Sequence, residues 1–152
     1  MSTLPDCQYK NITINPGNEE TACFIRRQLL EYNAGHVPPD GPFVTDPVQL
    51  ALKDDDGNIV GGITATINYF RARCYIDMLW TDAKLRGQGF GTKLLQTMEQ
   101  MAVAADCKII LVDTFSFQAP HFYAKRGYEL YGKLDDFPGV GHSQYFYKKD
   151  LR

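Results

Sequence analysis

Hydrophobic and polar positions along the chain follow two rhythms. YKNITI (9–14) alternates as a strand does, and NPGNEE then supplies a turn and the polar start of a helix. From Glu19 to Tyr32, Ala22, Ile25, Leu29 and Tyr32 return at helical spacing. AGHVPPDGPF (34–43) is too rich in Pro and Gly for either element and reads as a loop. QLALKD (49–54), the turn DDGN and IVGGITATINYF (59–70) predict a hairpin, and RAR leads into a strand over CYIDMLWT (74–81). Beyond a glycine-rich stretch, Leu94, Leu95, Met98, Met101, Ala102 and Ala105 form one apolar helical face. KIILVDTF (108–115) is a buried strand by its apolar run. A short helix over 119–125 is closed by Gly127, and strands over 128–134 and 143–149 complete the chain. The order is βα, a β-meander, then αβαββ, which predicts an α/β (α+β) domain with a mixed central sheet of about six to seven strands.

Length and composition add limits. With 152 residues the chain fits one domain, 1–152, and 44% hydrophobic with 22% charged residues is ordinary for a globular protein. The formal charge of −2 argues against a nucleic-acid partner. The N-terminus lacks an apolar signal region, and no run approaches membrane-spanning length, so a cytoplasmic protein without a membrane partner is expected. Cys7, Cys23, Cys74 and Cys107 lie far apart without a CxxC pair and read as reduced thiols. They and the scattered His36, His121 and His142 predict no metal site.

The candidate chemistry centres on LWTDAKLRGQGFGTKLL (79–95), where Gly87, Gly89 and Gly91 stand between a strand and a helix. A helix start leaves N–H groups unpaired and carries about half a positive charge. Glycines let that backbone close on an anion, so strand, glycine loop and helix together predict a phosphate cradle. A tight turn needing positive φ is the competing reading. The P-loop pattern is absent, and a GxGxxG fingerprint would need glycine at Leu94 or Thr92.

What fits is Arg or Gln, two residues, Gly, one residue, then Gly or Ala, met by Arg86, Gly89 and Gly91. With this motif the stretch resembles the GNAT superfamily of acetyl-CoA-dependent N-acetyltransferases. FSFQAPHFYAKRGYEL (115–130) resembles the family's second motif, and the element order is also the family's. DTFSFQAPHFY and DDFPGVGH further resemble a poorly characterised bacterial branch. The resemblance implies that the fourth and fifth expected strands, 74–81 and 108–115, splay around the cofactor. It implies main-chain pairing of Leu79, Trp80 and Thr81 with pantetheine, and pyrophosphate held by Arg86, Gly87, Gln88, Gly89, Phe90, Gly91 and Thr92. Lys84, Lys93, Lys125 and Arg126 are further candidates for phosphate charge. Ser116 stands where many members carry asparagine, and its hydroxyl is a candidate cofactor contact.

Acyl transfer to an amine poses two proton problems. An alkyl ammonium of pKa ~10.4 is neutral in only about one molecule in a few thousand at pH 7, a cost of roughly 4–5 kcal/mol. The departing thiolate needs a proton donor, and the resemblance implies Tyr123 in that role; a packed aromatic is its plainer reading. Asp77, four residues before Thr81 and expected on the same face, is the candidate base, or else a carboxylate paired with Arg71 or Arg73. His142 and His121 are weaker candidates. An N–H near Leu79 or Trp80 would serve the thioester oxygen, while the Trp80 side chain is expected to pack. Tyr69/Phe70 and Tyr145/Tyr147 wall the acceptor site or belong to the core.

The expected activity is N-acetylation of a small-molecule primary amine by direct attack in a ternary complex. Acidic runs at 54–56 and 135–136 lean toward a cationic acceptor such as a polyamine or aminoglycoside-like compound. Acetylation of a protein amine and a non-catalytic acyl-CoA sensor are the alternatives. The final strands leave room for a homodimer.

Overall fold

The computed structural model describes residues 12–152, which fall into two units, one ending at Pro38 and one running from Pro39 to Arg152. The expected strand over 9–14 begins outside the described residues, and its described part, 12–14, is not in a strand.

The first unit holds helix α1 (Glu19–Ala34). Asn18 starts it with a capping box: Thr21 N donates to Asn18 Oδ1 at 3.0 Å, and Asn18 N donates to Thr21 Oγ1 at 3.2 Å. Glu19 and Glu20 occupy the first turn, where the helix dipole favours anions.

The second unit is a six-stranded sheet with helices on one face. Its elements are β1 (Thr45–Lys53), β2 (Ile59–Asn68), β3 (Arg73–Thr81), α2 (Phe90–Ala104), β4 (Ile109–Phe115), α3 (Pro120–Ala124), β5 (Glu129–Asp135) and β6 (Ser143–Asp150). The strand order is β1-β2-β3-β4-β6-β5, with β3 and β4 parallel and the other neighbours antiparallel. The mixed sheet is as expected. β1 starts four residues before the expected 49, running through Pro47; among the described residues it is an edge strand paired only with β2, a position where a strand tolerates proline.

Ile63, Ala65 and Ile67 of β2, Cys74 and Ile76 of β3, and Ile110 and Val112 of β4 are buried on one face. Against them lie Leu94, Leu95, Met98 and Ala102, the apolar stripe of α2, with Tyr123 of α3. Leu95 is fully buried here, so Leu95→Ala is expected to cost about 2–5 kcal/mol in lost contacts and cavity. Phe70 and Tyr147 are buried and Tyr69 and Tyr145 pack on this core, which fits the core reading of those aromatic pairs.

One irregularity positions everything that follows. In the β2–β3 ladder Thr64 faces Met78 and Ala65 faces Ile76, so Asp77 is an extra residue without a partner of its own. The alternation of β3 reverses there. Cys74 and Ile76 point to the core before the bulge, and Leu79 and Thr81 after it, while Met78 and Trp80 turn outward. Trp80 is therefore 52% exposed, against the expectation that it packs.

Candidate active site

The β3–β4 ladder ends at Ile76 paired with Val112, yet β3 continues to Thr81 and β4 to Phe115. Beyond that pair the β4-facing edge of β3, including Leu79, Trp80 and Thr81, has no strand beside it among the described residues. β2 holds its other edge through the pairs Leu79–Ile63, Trp80–Gly62 and Thr81–Gly61. An unpaired edge at a parting of parallel strands is a template for an extended, amide-bearing ligand.

From that edge the chain turns directly into the glycine loop. Asp82 N donates to Val60 O at 2.8 Å, and Asp82 Oδ1 accepts from Lys84 N at 2.8 Å, starting a single 3-10 turn over Ala83–Leu85. Gln88 Nε2 donates back to Lys84 O at 2.8 Å. Gly87 and Gly89 sit at φ 75° and 85°, the left-handed region where a side chain is strained, and Gly89 caps α2. Lys93 N is the first amide of α2 with a backbone acceptor, Gly89 O at 3.0 Å. Among the described residues no acceptor takes the N–H groups of Gly87, Gln88, Gly89, Phe90, Gly91 or Thr92. These amides, with the exposed Arg86 at the loop's entrance, fit a diphosphate: donors, positive charge and no Cβ in the way.

The start of α2 is braced from α3. Arg126 Nε and Nη2 both donate to Thr92 Oγ1, at 2.9 and 2.5 Å, Nη1 donates to Phe122 O at 2.7 Å, and the guanidinium stacks 3.8 Å from the Phe122 ring centre. Arg126, expected among the phosphate partners, thus has its guanidinium engaged within the protein. A Cβ added at Gly91 would lie in ordinary contact with the Phe122 ring, at 3.6 Å. Lys84, Arg86, Lys93 and Lys125 form no ion pair among the described residues, and Lys93 lies 5.7 Å from the Phe90 ring centre.

Tyr123, on α3, is buried on the helix-covered face, edge-on to Phe122 and Tyr128 and 6.1 Å from the Tyr147 ring. Tyr147 pairs with Val112, the last β4 residue still joined to β3, so the phenol ring stands by the point where the strands part. Burial, and then the negative charge of Asp113, push the Tyr123 hydroxyl up to about 12, so it keeps its proton at any physiological pH.

The opposite face of the sheet carries carboxylates. Asp77 Oδ2 accepts from Thr66 Oγ1 at 3.2 Å, which places Asp77 on the outer face, whereas Thr81 points to the core. The expectation that the two share a face is overturned by the bulge, which inserts one residue into the two-residue period. Asp77 makes no ion pair with Arg71 or Arg73. Asp113 was not anticipated. One of its oxygens accepts a short bond from the Tyr75 hydroxyl and the other accepts from Gln144 Nε2 at 2.7 Å. Burial and then that bond raise the Tyr75 hydroxyl above the ordinary tyrosine range. Only strand alternation through KIILVDTF, with Asp113 out of phase with Ile110 and Val112, hinted at it.

Ser116 N donates to Ser143 O at 2.8 Å and Ser116 Oγ accepts from Ser143 N at 3.0 Å, a clip joining the end of β4 to the start of β6. His121 is exposed on α3, and His142 stands edge-on to Phe117 at 5.1 Å. Among the described residues no group of three or more His, Cys, Asp and Glu is arranged to hold a metal.

Parted parallel strands, a free strand edge and a row of unpaired amides at a glycine-capped helix together fit an extended ligand with a diphosphate. Residues 12–128 match the model of the acetyltransferase (GNAT) family. A crystal structure of an acetyltransferase from Bacillus cereus superposes with a TM-score of 0.79 at 37% identity, covering 92% of this chain and 98% of that one. An uncharacterised Bacillus subtilis protein, YdhI, is 38% identical over 77% of this chain and 74% of its own length. A blasticidin-S acetyltransferase of Streptomyces morookaense is 35% identical over 83 residues, 54% of this chain and 60% of that protein. The chain belongs to the GNAT acetyltransferase family, whose members are acyl-CoA-dependent N-acetyltransferases.

Proposed function

We propose that the protein acetylates a primary amine of a small, cationic molecule by direct attack on acetyl-CoA in a ternary complex. The observation that carries this reading is the row of unpaired amides, Gly87 to Thr92, continuous with the free edge of β3. Acetyl-CoA supplies the thioester carbon. On this reading the amides of the loop bind the diphosphate, and Arg86 adds charge. The edge at Leu79, Trp80 and Thr81 pairs with the pantetheine, and an N–H there faces the thioester oxygen. Asp77, exposed on the outer face, takes the ammonium proton directly or through water. The amine nitrogen bonds to the carbonyl carbon, the C–S bond breaks, Tyr123 donates its proton to the sulfur, and the second proton released by the nitrogen passes through water to restore the phenol. The antibiotic acceptor in the name of the blasticidin-S relative supports a small-molecule substrate, and Asp54–Asp56 and Asp135–Asp136 support a cationic one.

The test is thiol release from acetyl-CoA over polyamines, aminoglycosides, amino acids and lysine peptides, with wild type beside Tyr123→Phe. Amine-dependent release is expected, falling by about 100-fold or more in the variant while acetyl-CoA binding persists. Tight binding with no turnover on any amine refutes the small-molecule transferase and leaves a protein acceptor or a sensor.

A further inference from the structure

The outer face carries a second cluster that the proposed chemistry leaves unused. Leu111, Asp113 and Phe115 project from β4 on the side away from Ile110, Val112 and Thr114, and Phe115 is paired with Gln144. The Phe115 ring stacks on Phe117, with centres 5.4 Å apart and planes 15° from parallel, and meets Phe137 at 6.2 Å and 45°. Phe117 and His142 meet in a T-shaped pair, at 84°. Although grouped, Phe117 and Phe137 remain 58% and 47% exposed. A water-facing aromatic group of this kind is unfavourable in isolation and marks a contact surface.

Hydrogen bonds also fix the backbone that carries the rings. Phe115 N donates to Gln118 Oε1 at 2.8 Å and Gln118 N donates to Phe115 O at 2.9 Å, fixing the turn that carries Phe117. Phe137 N donates to His142 O at 3.2 Å, His142 N to Gly139 O at 3.1 Å, and Gly141 N to Asp136 Oδ1 at 2.9 Å, fixing the loop that carries Phe137. The Ser116–Ser143 clip joins the two segments. Pre-set aromatic faces bind a flat ligand at little entropic cost. Phe115 ends β4 beyond the last β3–β4 pair, so the cluster borders the cleft between the parted strands. Asp113, two residues earlier on the same face and held by Tyr75 and Gln144, adds a negative charge that favours an ammonium nearby.

The geometry points to an acceptor that carries a planar, unsaturated ring beside its amine, stacked on Phe117 and Phe137, rather than a wholly saturated polyamine or sugar. This deepens the transferase reading and rests on it. The matched probes are phenethylamine and cyclohexylethylamine, equal in reach and charge but different in planarity, with tryptamine as a larger ring. Phe117→Leu keeps apolar bulk at an exposed position and removes the flat face. Wild type is expected to use phenethylamine with kcat/KM about fivefold or more above cyclohexylethylamine, and the ratio is expected to fall toward one in Phe117→Leu. A ratio of one in wild type, or an unchanged ratio in the variant, overturns the ring platform and leaves the acetyl transfer standing. If neither amine is turned over, the transferase reading stands or falls on the wider amine panel. Calorimetric binding of the same pair to the CoA complex then decides the platform: preference for the flat ring sustains it, and equal binding overturns it.

Discussion

Gly89→Ala separates the two demands placed on the glycine loop. At φ 85° an alanine is strained, and the Cβ it adds meets nothing within 4 Å, so the cost to the free protein is backbone strain alone. Left-handed conformation costs a non-glycine residue about 1–2 kcal/mol, which for a chain of this size lowers Tm by about 3–6 °C. Gly57 is the matched control. It has φ 84°, its Cβ would also meet nothing within 4 Å, and it lies in the hairpin turn between β1 and β2. Gly57→Ala is therefore expected to lower Tm by a similar amount and leave acetyl-CoA affinity unchanged. In Gly89→Ala the backbone relieves its strain by rotating the amides beside it. Each bond from an N–H to a charged acceptor contributes about 1.5–3 kcal/mol, so losing one raises Kd by about 10- to 150-fold. Thermal melts and calorimetric titration with acetyl-CoA read both quantities. Matching Tm losses with equal Kd values in the two variants would refute the diphosphate cradle, because the strain would then be present without any effect on the ligand.

Arg126→Lys removes the paired donors to Thr92 and the stack on Phe122, and is expected to lower Tm and weaken acetyl-CoA binding together, read by the same two measurements. Lys149 Nζ donates to Glu99 Oε1 at 3.0 Å, and Glu99 also accepts from the Tyr128 hydroxyl; Lys149→Met leaves that largely buried carboxylate short of a partner and should cost about 1–3 kcal/mol by urea unfolding. Alkaline pH should loosen the fold in two stages. Burial raises the Cys74 thiol to about 12 and the Tyr123 hydroxyl to about 12, so the folded state holds both protons more tightly than the unfolded chain does. Their contribution is complete below the unfolded values, about 8.5 for the thiol and 10 for the phenol, and is lost as pH rises through about 12. Each group adds up to about 1.4 kcal/mol per pH unit within its window, and Tyr123→Phe should remove its own share of the upper stage of the urea-midpoint profile, to which the raised hydroxyls of Tyr75 and Tyr128 also contribute.

Most of the scaffold was legible because it follows from short-range periodicity. The stripe from Leu94 to Ala102 is buried as its spacing requires, and the hairpin closes where DDGN allows. The glycine loop was legible for a related reason: a left-handed φ is a local demand that glycine meets, and Gly87 and Gly89 meet it. Long-range pairing was less legible. The start of β1 was hidden because Pro47 reads as a turn until its strand is known to lie at an edge. Arg126 carries the charge of a phosphate ligand, and only the packing of α3 on α2 shows its guanidinium bound to Thr92. Asp113 looked like one polar residue in a strand until Tyr75 and Gln144, distant in sequence, closed on it.

The bulge at Asp77 shows why such errors gather at the site. Two-residue alternation places Asp77 with Thr81, and one inserted residue is enough to put them on opposite faces. That same insertion lets β3 keep Ile76 in the core and still return Leu79 to it, so the strand stays packed through the region where β4 leaves it. On the proposed reading the consequence is a division of labour across a single strand. Its core-side segment leads into the diphosphate loop and faces Tyr123, and its outer face carries Asp77 beside the Asp113 cluster. An amine bound on the outer face meets a thioester from the other side only through the opening between β3 and β4, which is the geometry that direct attack requires.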